Sequence, residues 1–197
     1  GGGANHPEEI RERDEADRNQ TYTMADAVFS ASFLNGCLRQ AKYVHMACMS
    51  PVVNVRGPLF VHPKGIVKRT TFHVLKMYSD LLQPNVVECL IAAPPLKADE
   101  KTVAALDAVV TRSQDGKQLA IALVNRHPSA SVRWKLNLHN FSPRKAVELT
   151  ILSGDSPDAY NDIAHPNRVV PHTTQVNADA PYLELPPHSV SIARYSA

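Results

Sequence analysis

The sequence predicts two fold classes joined end to end, an α/β segment followed by an all-β antiparallel β-sandwich. Three observations carry this. Residues 43–49, YVHMACM, are almost continuously apolar without alternation, which is the pattern of a strand covered on both faces in a parallel sheet. That run is flanked by two stretches with helical signals. Beyond Pro84 the pattern becomes short strand-like runs, several of period two, punctuated by Pro and Gly, as in sandwiches.

Residues 1–19 are glycine-led and then crowded with charge (EEIRERDEADRN), with Ile10 as the one large apolar residue. Such a stretch cannot bury a face and reads as a mobile charged loop or a frayed helix. Its carboxylates, Glu8, Glu9, Glu12, Asp14, Glu15 and Asp17, are poor candidate catalysts. A solvated charge run supplies neither the burial nor the close partner that shifts a pKa.

Residues 20–83 read as helix, strand, loop and helix. Thr23 and Asp26 make a capping-box start ahead of a stripe of Ala27, Ala31, Leu34 and Leu38, broadened by Val28 and Phe29. Asp26 near one end and Arg39 and Lys42 near the other suit the helix dipole. The buried strand 43–49 follows, with His45 read as a hydrogen-bonded core residue. An irregular loop spans 50–69. Thr70 and Thr71 then open a helix through about residue 82, which Pro84 stops. One parallel strand cannot form a sheet alone, so this unit reads as the closing part of an α/β barrel. Barrels place their sites at the C-terminal ends of strands, which makes 50–69 the candidate site loop.

Residues 84–197 read as the sandwich. Asp115-Gly116 marks a hairpin turn between strands near 106–110 and 119–124. Val132, Trp134, Leu136 and Leu138 alternate with polar residues, and Val147, Leu149 and Ile151 repeat the pattern. Residues 182–185 and 189–195 give two last strands. Trp134, the single Trp, reads as core rather than as a sugar platform. The long polar loop 155–172 braces the sandwich against the preceding segment or carries function.

The balance of 21 basic and 19 acidic residues excludes the electrostatic footprint of a nucleic-acid or anionic-membrane binder. No run of 18 apolar residues would cross a membrane. Cys37, Cys48 and Cys89 lack zinc spacing. Cys37 and Cys48 sit in apolar patterns and read as buried free thiols, which points to a reducing, cytoplasmic setting. His62 and His73 have no second ligand at metal spacing, and His73 reads as structural. No metal or organic cofactor is implied. No Gly-x-Ser-x-Gly elbow or phosphate loop is present.

Several motifs carry a family resemblance. They are Ser50-Pro51-Val52-Val53-Asn54-Val55-Arg56-Gly57-Pro58, His62-Pro63-Lys64-Gly65-Ile66 and Arg69-Thr70-Thr71-Phe72-His73, then Leu123-Val124-Asn125-Arg126-His127-Pro128, Ser153 to Asn161, and Pro186-Pro187-His188-Ser189-Val190. In this order and spacing they resemble the C-terminal portion of family-51 glycoside hydrolases, the α-L-arabinofuranosidases. The resemblance covers roughly residue 20 to the end. It implies the closing segment of a (β/α)8 TIM barrel followed by a jelly-roll.

It also implies a retaining, exo-acting enzyme that removes terminal arabinofuranosyl groups from arabinoxylan, arabinan or their oligosaccharides. Its two catalytic glutamates lie on earlier strands, in motifs this chain does not contain, so no catalytic residue is expected here. The expected partners are the N-terminal remainder of the barrel, an arabinofuranosyl substrate and other copies of the protein in a homo-oligomer. Asn54, Arg56 and Ser50 are the candidate substrate-binding residues, with Pro51 where many members place a sugar-contacting Gln. The rival role for Asn54 and Arg56 is to satisfy loop backbone and neighbouring carboxylates. The rival for the chain as a whole is a non-catalytic carbohydrate-binding or interaction module.

Overall fold

The runs beyond residue 84 build a six-stranded antiparallel sheet. The computed structural model describes residues 22–197 apart from Val55 and Asp99, so the charged segment 1–19 lies outside the described residues. In chain order the elements are helix α1 (Met24–Arg39), strands β1 (Leu59–His62) and β2 (Gly65–Lys68), helix α2 (Thr70–Leu81), and strands β3 (Asn85–Val87), β4 (Pro95–Ala98), β5 (Lys101–Ala104), β6 (Leu106–Arg112), β7 (Gln118–Asn125), β8 (Val132–Trp134), β9 (Ala146–Leu152), β10 (His172–Asn177), β11 (Leu183–Leu185) and β12 (Ser189–Ser196). The main sheet runs β10-β9-β12-β7-β6-β3. Three two-stranded pairs, β1-β2, β8-β11 and β4-β5, complete the set among the described residues.

Both faces of the sheet are buried, and side-chain size differs between them. On β7, Ala120, Ala122 and Val124 face α1 and α2, where they join Met24, Ala27, Ala31, Val74 and Met77 in one cluster. The alternate residues, Leu119, Ile121 and Leu123, face the β8-β11 pair and pack with Trp134, Leu149 and Leu185. Strand side chains alternate between faces. Small residues on one face let the helices approach closely, and large ones on the other fill the space beneath a thinner second layer. Trp134 is buried, as the alternation predicts.

Both helices start as expected. The Asp26 carboxylate accepts from the Thr23 backbone N–H at 2.8 Å, which closes the cap of α1. The Thr70 hydroxyl donates to the Thr23 carbonyl at 2.7 Å and ties the start of α2 to the start of α1. The expected hairpin forms between β6 and β7, in register from Leu106 opposite Asn125 to Arg112 opposite Leu119. Gly116 sits at φ +74°, the left-handed conformation that its turn requires.

Several expectations are corrected. Residues 43–49 form no strand. Tyr43 closes a turn after α1, residues 44–49 have no regular structure, and all are exposed, with Tyr43 at 73% and Met46 at 79% exposure. Their apolar pattern is real, but among the described residues no strand lies beside them to take their backbone hydrogen bonds. For the same reason His45 is exposed rather than core, and Cys48 is an exposed thiol rather than a buried one. The segment 50–69 is not wholly irregular, because it contains the β1-β2 hairpin. The strand beginning at Val132 ends at Trp134, and Leu136 and Leu138 pack on the core without ladder bonds. The loop expected over 155–172 gives way at His172 to β10, whose polar sequence hid it.

Candidate functional site

The candidate loop is organised by a turn that only a narrow set of residues allows. Asn54 adopts φ +54°, a conformation Asn tolerates better than most residues. Its backbone N–H donates to the Leu59 carbonyl at 2.7 Å, and its own carbonyl accepts from the Gly57 N–H at 2.5 Å. At Gly57 a Cβ would overlap the backbone of Val52 and Val53, so the chain packs against itself there only because glycine has no side chain. The side-chain Oδ1 of Asn54 accepts from the Val61 N–H at 2.7 Å and fixes the turn to β1.

Arg69 secures the other side of this turn. The residue is almost fully buried, and its Nη1 donates to the Gly57 carbonyl at 2.6 Å. Its guanidinium lies 4.0 Å from the centre of the Tyr22 ring and 5.3 Å from that of Phe60. Stacking on two rings suits the planar, weakly hydrated guanidinium in a way an ammonium could not match. His73, one turn into α2, is buried, and burial together with nearby Lys68 pushes its pKa down to about 4. It is a neutral imidazole in the fold, in keeping with a structural role.

Of the sequence-predicted residues, Ser50 and Arg56 are exposed and Asn54 is half-buried, all within one loop segment. The carboxamide oxygen of Asn54 serves the loop backbone. No Asp or Glu occurs from Tyr43 to Arg69. This surface can therefore offer hydroxyl, amide and guanidinium donors to an oxygen-rich ligand, but no carboxyl group. Among the described residues no group of His, Cys, Asp and Glu is arranged to hold a metal ion.

The later motifs hold the architecture. Asn125 Nδ2 donates to the carbonyls of Ala130 at 3.0 Å and Pro186 at 2.8 Å, and its Oδ1 accepts from the His127 N–H. Asn161 Nδ2 donates to the carbonyls of Lys68 and Val169, each at 2.8 Å, which ties the loop after β9 to itself and to the end of β2. The two ring nitrogens of buried His188 lie 2.9 Å from the Pro128 carbonyl and 3.0 Å from the Gly154 carbonyl, linking three loops at one end of the sheet.

Sequence reasoning missed a polar hub under α1. Asp107 is buried on the helix side of β6. It pairs with Arg39 Nη1 at 2.8 Å and Arg126 Nη2 at 3.1 Å, and it accepts from Asn35 Nδ2 at 3.1 Å. The Tyr78 hydroxyl donates towards Asn35 Oδ1 at 2.8 Å, and its pKa is raised by burial and by Asp107. The available signal was an acid at an alternating position inside the apolar run LDAVV.

A family model described as the alpha-L-arabinofuranosidase C-terminal domain matches residues 4–189. Alpha-L-arabinofuranosidase C of Emericella nidulans is 27% identical over 95% of this chain and 38% of its own length. An exo-alpha-(1->6)-L-arabinofuranosidase of Bifidobacterium longum is 30% identical over 81% of this chain and 31% of its own. The chain thus spans less than two fifths of the length of these relatives. Among solved structures, an alpha-L-arabinofuranosidase from Thermotoga maritima in complex with arabinose shares the fold with a TM-score of 0.82 at 18% identity, over 89% of this chain and 39% of that one. A family 51 enzyme from Bifidobacterium longum gives a TM-score of 0.79 at 23% identity, over 88% of this chain and 35% of that one. On the family match, which runs over nearly the whole sequence, this chain belongs to the alpha-L-arabinofuranosidase C-terminal domain family.

Proposed function

We propose that this chain is the C-terminal part of a retaining, exo-acting α-L-arabinofuranosidase that releases terminal arabinofuranosyl groups from arabinoxylan, arabinan or their oligosaccharides. The observation that carries this reading is the family match over residues 4–189 in a chain that covers under two fifths of its relatives. Retaining glycosidases work with two carboxyl groups about 5 Å apart, one as nucleophile and one as acid/base. The exposed segment 43–69 contributes neither, so the glutamates come from the rest of the enzyme and the chain alone is inactive.

In this reading residues 43–49 are the last strand of a (β/α)8 barrel, residues 50–69 are the loop off its C-terminal end, and the sandwich is a jelly-roll. The apolar side chains of Tyr43, Met46, Met49, Val52 and Val53 are exposed here and would be covered by the barrel's other strands and helices. Ser50, Asn54 and Arg56 then form the wall of a subsite. The Asn54 amide, the Ser50 hydroxyl and the Arg56 guanidinium donate to furanose hydroxyls, and Pro51 supplies only surface. The protein works in the cytoplasm, like the relatives named intracellular exo-alpha-(1->5)-L-arabinofuranosidases, and assembles as a homo-oligomer.

Gel filtration tests the assignment to a larger enzyme. The chain is expected to co-elute with a barrel portion of about 300 residues, the remainder of a domain that typically exceeds 250. A stable monomer that ignores that portion would overturn the reading in favour of a free-standing module. In the complete enzyme, Asn54→Ala is expected to raise KM several-fold with kcat nearly kept, as removal of a uniform binding contact does. An unchanged KM would remove Asn54 from the subsite.

A further inference from the structure

On the sheet face opposite α1 and α2 the sandwich holds a cavity of about 370 Å³. Its walls include Trp134, Lys135, Phe141, Asp179, Tyr182 and Tyr195, drawn from β8, the segment after it, the β10-β11 connection and β12. Four of the chain's twelve aromatic residues (one Trp, six Tyr, five Phe) therefore meet at one place that the catalytic reading does not use. The size lies within the range of about 300–1,000 Å³ typical of small-molecule sites.

One feature distinguishes this cavity from a packing gap. Trp134 is only 8% exposed and closes the inner wall of the cavity as a core residue. Tyr182, by contrast, is 44% exposed, and the Arg133 guanidinium lies 4.6 Å over its ring centre. That contact steadies the ring while leaving it accessible.

We propose that this cleft is a second glycan-binding site, taking a short segment of a neutral pentose polymer. The rings of Tyr182 and Phe141 suit the apolar C–H faces of a sugar. Lys135 and Asp179 place a donor and an acceptor at the cavity with no net charge, which matches hydroxyl groups and gives a charged ligand no advantage. The site lies across the sheet from the 50–69 loop, so it holds polymer while the catalytic part works on a side group. The choice of a pentose rests on the proposed function.

Because Trp134 is the chain's only Trp, its emission reports this cleft directly. Titration of the 197-residue chain with arabinoxylan oligosaccharides is expected to give a saturable emission shift that Tyr182→Ala weakens about tenfold. In the complete enzyme, Tyr182→Ala and Phe141→Leu (which removes the ring and keeps apolar bulk) are expected to lower retention on insoluble arabinoxylan about tenfold, with kcat/KM on a small arabinofuranoside unchanged. Unaltered retention in both variants would overturn the proposal, whether or not the isolated chain gives a signal. An emission shift produced by an extended peptide and not by glycan would overturn it too, and would reassign the open β8-β11 pair to strand addition. An enzyme active on arabinofuranosides with unaltered retention sinks the cleft alone, and an inactive enzyme with a working cleft sinks only the catalytic reading.

Discussion

Strand β7 and the segment 43–49 are almost equally apolar, yet one is the most buried strand of the molecule and the other is exposed. Every residue of β7 after Gln118 is buried, because β6 and β12 take its backbone bonds and two layers cover its faces. Residues 43–49 have no neighbouring strand among the described residues and remain exposed. Apolar pattern states a requirement for burial, and the surrounding chain decides whether it is met. Under the proposed function, the difference separates the part that finds its packing partners within this chain from the part that the rest of the enzyme would cover.

Substitutions on the two sides should separate accordingly. Leu123→Ala removes a side chain packed against Ile121 and Trp134 and is expected to cost about 2–5 kcal/mol in urea unfolding. A cost near zero would mean that the β8-β11 layer is not packed on the sheet. Asp107→Ala leaves Arg39 and Arg126 facing an unfilled buried site and is expected to cost about 3 kcal/mol. This is the low end for a buried pair, because Arg39 is partly exposed.

A third probe is pH. His73 titrates near 4 in the fold against 6.5 as its ordinary value. Above pH 6.5 both folded and unfolded chains hold it neutral. As pH falls from 6.5 towards 4 the unfolded chain binds a proton that the fold refuses, so stability declines through that window by about 3 kcal/mol in total. Replacing His73 by Gln should flatten that part of the profile, and a variant that keeps the same slope would acquit His73. Met46→Ser, on the exposed side, is expected to change the stability of this chain by less than about 0.5 kcal/mol. The same change should weaken assembly with the barrel portion, which gel filtration or calorimetry would detect.

The pattern of what could be read from the sequence follows the same division. The cap at Thr23–Asp26, the Asp115-Gly116 turn and the alternation in β7 and β9 are local signals, and each meets its partner within this chain. Trp134 was placed in the core from alternation alone. The run 43–49 was read as a covered strand from signals just as clear, and that reading needs neighbouring strands that the described residues do not supply. Strand β10 escaped notice for the opposite reason. HTTQVN lies at the sheet edge with most side chains in solvent, so no apolar alternation announces it. In the candidate site, the motif residues Asn125, Asn161 and His188 were visible as a resemblance, but their structural work depends on carbonyls 5 to 93 residues away. Arg69 and Asp107 act through equally long-range partners, and sequence spacing is silent about those.

The most direct test of the account is complementation. This chain, mixed with a separately produced barrel portion carrying both catalytic glutamates, is assayed for release of nitrophenol from an arabinofuranoside. The account predicts no activity from either piece alone and clear activity from the complex. A folded complex that contains both glutamates and releases nothing, or activity from this chain by itself, would contradict it.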